Sequence, residues 1–261
     1  MSNFVVMLDS SKTSQNSDNF QINFNQPIKF NGVPHEVGLR LLSTWFTWFN
    51  VSADYGNNIF KYSNDSGFTW ETATIPSGNY SIDQLEDAIH QLMEANGDVT
   101  IDGGTGVKTY DINLAPNYST IRLYLELTNG FQVDFTAGKL NELLGFTSAV
   151  VTASSYGTSN VNITNSVNTM LLHCSLINGA GSYDNNISSD ILFAFVPNVP
   201  PGANINITPV SITYIPIDRL DYIDRIQLRL TDQLGRRVNL NGEDLTAWLH
   251  IRPRKLVNYM K

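Results

Sequence analysis

The sequence predicts an all-β protein, a sandwich or barrel, and three observations predict it. Short apolar–polar alternations recur along the 261 residues, the pattern of strands with one buried face. Aromatic residues, Phe and Tyr foremost, make up 11% of the chain, and these types favour pleated surfaces. Only one long segment has helical periodicity, so the βα alternation of a parallel α/β sheet is missing.

Taken in order, residues 4–8, 20–24, 37–45, 59–62 and 68–75 read as strands. Ser81 then precedes Ile82, Leu85, Ala88, Ile89, Leu92 and Met93, which share one helical face. Ser81 with Gln84 forms a capping box, and Asn96-Gly97 supplies the stop. Ile121, Leu123, Leu125 and Leu127 alternate with polar residues, and Phe131, Val133 and Phe135 repeat the pattern after Asn129-Gly130. Asn-Gly favours positive φ, so the two segments are expected to pair as a tight hairpin. A short helix is expected over 139–144, stopped by Gly145. Residues 147–168, rich in Ser, Thr, Asn and Gly, read as a long exposed loop.

Strands follow at 170–177, 191–196 and 211–215, with a turn at 198–202 whose two prolines exclude a central strand. Ile226, Leu228 and Leu230 then alternate with Arg225, Gln227 and Arg229, and 245–251 closes the series. No linker or repeat interrupts the chain. One domain over residues 1–261 is the expectation.

Composition narrows the function. A hydrophobic content of 42% supports a packed core, while charged residues reach only 15% against a usual figure of about 25%. Cys174 is the single cysteine, so no internal disulfide can form. The first residues lack a basic n-region, and the longest apolar run, 191–196, is far below the roughly 20 residues of a membrane helix. A soluble protein synthesised inside the cell is expected. Residues 1–218 hold 7 Lys and Arg against 19 Asp and Glu, whereas residues 219–261 hold 9 against 5. Such a body opposes general nucleic-acid binding, leaving at most the basic C-terminal tail for it.

No enzyme is expected. His35, His90, His173 and His250 share no metal-ligand spacing, and no metal or cofactor is anticipated. His35-Glu36 reads as having a structural or surface role. A G-x-S-x-G elbow and a phosphate loop are both absent from the sequence, and Gly103-Gly-Thr-Gly106 reads as a hairpin loop. Asp218, Asp221 and Asp224 suit a cation or, with Arg219 and Arg225 interleaved, a solvated turn. Cys174 sits in an apolar run and reads as a small buried hydrophobe.

The candidate contacts lie elsewhere. A strand buries one face, so Trp45-Phe-Thr-Trp-Phe49 leaves alternate aromatics to be covered or to form a subunit contact, with Trp45 and Trp48 as candidates. Arg225 and Arg229 project opposite the core-facing residues of their strand. Arg236 and Arg237 follow in a turn, so four guanidiniums can gather there, as an interface or as an ordinary solvated face. The stretch 252–261, with Arg252, Arg254 and Lys255, is either a frayed end or an arm that docks on an acidic neighbour.

Read in order, several segments resemble one family. They are Phe4-Val-Val-Met-Leu-Asp-Ser-Ser11, Phe20-Gln-Ile-Asn-Phe24, His35-Glu-Val-Gly-Leu39, Thr74-Ile-Pro-Ser-Gly-Asn-Tyr80 with its helix, Leu143-Leu-Gly-Phe146, and Ile226 to Gly235 followed by Leu240-Asn-Gly-Glu243. This series is similar to the minor capsid, or penton, proteins of Polinton/Maverick elements and related virophages, over nearly the whole chain. The resemblance implies a single jelly-roll β-sandwich that forms homopentamers at icosahedral vertices, beside the major capsid protein of the virion. The chain lacks Arg-Gly-Asp, so the integrin-binding loop of some pentons is not implied. A lectin-like, glycan-binding sandwich is the alternative; it would gather exposed aromatics with Asn and Asp in one groove.

Overall fold

The computed structural model describes residues 3–164, 167–177, 183–184, 187–219 and 221–254. The chain divides into two compact units, Met1–Trp48 with Val167–Lys261, and Phe49–Ser166. The second unit lies, in sequence, between the two parts of the first, within the span anticipated as one domain. Neither junction carries a Pro/Gly-rich or charged stretch, which is why the sequence gives no sign of them.

In the first unit β1 (Phe4–Asp9), β2 (Asn19–Lys29) and β3 (His35–Trp45) precede the inserted unit. The inserted unit holds β4 (Ile59–Ser63), β5 (Glu71–Thr74), α1 (Ile82–Asn96), β6 (Ile112–Asn117), β7 (Arg122–Leu127), β8 (Gln132–Asp134) and α2 (Leu140–Leu144). The first unit then resumes with β9 (Met170–Cys174), β10 (Ile191–Phe195), β11 (Asn204–Ile207), β12 (Tyr222–Asp232) and β13 (Thr246–Pro253).

The first unit has the strand order of a jelly roll. One sheet runs β1-β13-β3-β11 and the other β10-β9-β12-β2, all neighbours antiparallel. Within this unit the first strand pairs the last, the second the penultimate, and so inward, as in a long hairpin rolled up on itself. Period-2 alternation fills the space between the sheets. Val6 and Leu8, Val37, Leu39 and Leu42, and Ala247, Leu249 and Ile251 come from one sheet; Phe20, Met170, Leu172, Ile226, Leu228 and Leu230 come from the other. Cys174 is fully buried there, and burial pushes its thiol pKa up to about 12, so it behaves as a hydrophobe. His35 is buried and stacks on Phe30, the structural one of the two roles expected of it.

The inserted unit has its own core. Val150–Val151, β8, β4 and β5 make one sheet; Ser155–Tyr156, β7 and β6 make another. Leu85, Ile89 and Met93 of α1 are buried among residues of both sheets. The Ser81–Gln84 capping box forms, with Gln84 N–H donating to Ser81 Oγ at 3.2 Å and Ser81 N–H donating to Gln84 Oε1 at 2.9 Å.

Three expectations need correction here. Asn129 and Gly130 take φ of 51° and 81° as anticipated, but β7 and β8 do not pair; each joins a different sheet. Stretch 147–168 is no free loop. Val150–Val151 pairs β8, Ser155–Tyr156 pairs β7, and Val161 N–H donates to Ile121 O. Of residues 211–215 only Ile215, with Pro216, enters a ladder. The preceding residues cross Gly38 so closely that a Cβ there would lie 2.3 Å from Ile212 Cγ2.

Candidate assembly surface

A sheet whose inner face fills a sandwich core normally sends polar side chains outward. The β1-β13-β3-β11 sheet does so at Ser43, Thr246, His250 and Arg252, among others, but it also carries apolar side chains outward. Met7 lies opposite Trp248, and Trp248 opposite Leu41, so the three form a row across three strands. Val5 lies farther along β1 and Trp45 farther along β3 on the same face. Val5 is 41% exposed, Met7 56%, Trp45 39% and Trp248 36%. Exposed apolar side chains grouped on one face make a candidate interaction surface.

The margin of this sheet strengthens the point. β1 is an edge strand, and Phe4-Val-Val-Met-Leu8 contains no charge, proline or bulge to discourage further pairing. Ser10 N–H bonds Leu245 O across from β13. By antiparallel alternation the backbone groups of Val5, Met7 and Asp9 therefore point away from β13, along the open margin. Among the described residues, Val5 and Met7 therefore present both apolar side chains and unpaired backbone. Sequence reasoning missed Val5, Met7, Leu41 and Trp248. The available signal was that residues 4–8 are apolar at every position, whereas a strand buried on one face alternates.

Both anticipated tryptophans can now be placed. Trp45 is on the surface just described. Trp48 is 3% exposed and stacks on Phe46 with ring centroids 4.1 Å apart, so it is core and offers no surface.

The basic candidates separate in the same way. Arg225 and Arg229 project from the outer face of the other sheet, as alternation requires. Arg229 Nη2 lies 3.6 Å from Asp190 Oδ1. His173 Nδ1–H donates to the same carboxylate oxygen at 2.6 Å, and this bond, first among the causes, holds the Asp190 pKa below the usual range. Arg236 donates from Nε to the fully buried Asp232 at 2.6 Å. Arg237 grips Asp18 through two bonds of 2.8 and 2.9 Å. Two of the four guanidiniums thus neutralise buried carboxylates.

Arg252 is held too. Its Nε donates to Glu36 at 2.6 Å, and its guanidinium lies 3.4 Å from the centroid of the Tyr214 ring. The side chain of Arg254 is exposed, while its backbone N–H donates to Pro34 O at 2.8 Å. Lys255 and the rest of the anticipated arm lie outside the described residues. Arg219 pairs with Asp224 at 3.7 Å, the local pairing weighed against a cation site.

No protein-family model matches the chain, and no curated protein matches it. Among solved structures, the penton protein of mavirus aligns with a TM-score of 0.49 and 8% identity, over 97% of this chain and 100% of that one. The Sputnik virophage structure aligns with a TM-score of 0.42 and 14% identity, over 95% of this chain and 98% of that one.

Proposed function

We propose that this chain is a structural virion protein, a minor capsid or penton subunit that assembles as a pentamer at icosahedral vertices beside the major capsid protein. The observation that carries the reading is the exposed apolar row Met7, Trp248 and Leu41 on the outer face of the β1-β13-β3-β11 sheet, beside the edge strand β1. The ordered motifs of the sequence, similar to those of penton proteins, supply the kind of assembly. A closed ring uses heterologous contacts, one patch meeting a different patch on the next copy. We assign the apolar row to one side of that contact and Arg225 and Arg229, on the outer face of the other sheet, to polar contacts on the opposite side of the subunit. No catalytic role is assigned.

Sedimentation velocity tests this reading. The native chain sediments as a ring at high concentration. Met7→Glu with Trp248→Ser leaves thermal unfolding close to native, since both side chains are surface ones, and shifts the ring toward monomer. Arg225→Ala with Arg229→Ala weakens association less, because exposed ion pairs contribute about 0–1 kcal/mol. A ring that survives the Met7/Trp248 change would remove this face from the interface.

A further inference from the structure

We propose that the groove between α1 and the 76–80 loop of the inserted unit binds a neutral saccharide. It has a volume of about 470 Å³ and is lined by Gly78, Tyr80, Gln84, Asp87, Ala88 and Gln91, among others. That volume falls within the range of small-molecule sites, about 300–1,000 Å³.

The loop wall is fixed before any ligand arrives. Asn50, 6% exposed, donates through Nδ2 to Tyr80 O at 2.7 Å and to Ile163 O at 2.6 Å. It accepts from Tyr80 N–H at 2.9 Å. Val51 and Gly78 exchange backbone bonds of 3.2 and 2.9 Å. The Tyr80 hydroxyl donates to Pro76 O at 2.8 Å, and its ring passes 2.7 Å from where a Cβ on residue 78 would stand. Glycine at 78 is what lets the ring lie against its own loop. A rigid wall of this kind spares the ligand the cost of ordering it.

The opposite wall is helical. Gln84, Asp87, Ala88 and Gln91 fall at i, i+3, i+4 and i+7, one face of α1. Ala88 is the short side chain that gives the groove its depth. The Oε1 of Gln84 is taken by the capping box, which leaves its amide hydrogens to donate. Gln91 has no hydrogen-bond partner among the described residues, so its amide can donate and accept. Asp87 accepts only.

This set selects the ligand class. No Lys, Arg or His lines the groove, so nothing there offsets an anion, and the Asp87 carboxylate repels one. Hydroxyls that both donate and accept suit paired amides and a carboxylate. The C–H face of a pyranose suits the fixed aromatic ring, which is apolar in body and polar only at its tip. A neutral hexose has both features. This inference is independent of the capsid reading.

Saturation-transfer NMR on the full chain, with glucose, galactose, mannose, N-acetylglucosamine, sialic acid and adenosine as probes, tests it. At least one neutral sugar gives transfer and sialic acid gives none. Asp87→Asn and Gln91→Ala, both on the exposed helix face, leave thermal unfolding unchanged and weaken the sugar about tenfold. Ala88→Leu fills the groove and abolishes transfer. Silence from every neutral sugar, transfer from adenosine alone, or full affinity in the Ala88→Leu protein would overturn the proposal. Sedimentation of the same variants reads assembly separately, so failure here is distinguishable from failure of the capsid reading.

Discussion

His250 stands on the outer face of the first sheet, with the Tyr214 hydroxyl 2.6 Å from its Nδ1. Burial, and then the cations Arg252 and Arg40, hold its pKa below the ordinary imidazole value. A neutral ring accepts the tyrosine hydrogen; a protonated ring cannot. Because the folded value is depressed, the contribution to stability is present above the unfolded value of about 6.5 and is lost as pH falls through the folded one. Arg252→Gln removes one cation, so NMR titration should find the His250 midpoint raised. An unmoved midpoint would mean that Arg252 does not act on the ring. The sequence identified Arg252 as a basic residue near the C-terminus but could not reveal Glu36 as its partner. The two stand 216 positions apart, and long-range pairing leaves no local signal. Trp48 was ambiguous for a related reason: alternation says which residues share a face, not whether another segment covers it.

Helix α1 was the element most legible in the sequence, since its cap, stop and apolar stripe are all local. Leu85 is fully buried within the core of the inserted unit, so Leu85→Ala should cost about 2–5 kcal/mol in denaturant unfolding. Leu92, only partly buried, should cost less. Equal costs would contradict the packing described. The β6–β7 turn gives the opposite expectation. Ile121 is β-branched, has φ of 57° and is 59% exposed. Left-handed backbone at such a residue costs about 1–2 kcal/mol, so Ile121→Asn should raise stability by about 1 kcal/mol. A lower melting temperature would show that the side chain makes contacts that matter more than the strain. Asn129-Gly130 marks the limit of local reading. The dipeptide fixes the turn, yet β7 pairs back with β6, the strand before it, while β8 pairs with β4 some 70 residues earlier, where Val133 is buried.

For the whole molecule, the charge asymmetry seen along the sequence takes a different form once the two units are known. The inserted unit holds 4 Lys and Arg against 13 Asp and Glu, whereas the rest of the chain holds 12 against 11. Acidity therefore belongs to the insertion and not to a body opposed to a basic tail, and the jelly roll is close to neutral. A nearly neutral unit with an exposed apolar row on one sheet face is suited to close contact with other copies, because little charge repulsion opposes it. The alternating segments indicated a sandwich, but the order of strands in its sheets depends on pairings between the two ends of the chain, such as β1 with β13, which periodicity does not encode.

The central claim is that copies of this chain meet through the outer face of the first sheet to build capsid vertices. Imaging purified particles by electron cryomicroscopy and tracing this chain in the density tests it most directly. Five copies are expected around each fivefold axis, with Val5, Met7 and Trp248 covered by the neighbouring copy. Particles that lack the chain, or hold it with that face in solvent, would contradict it.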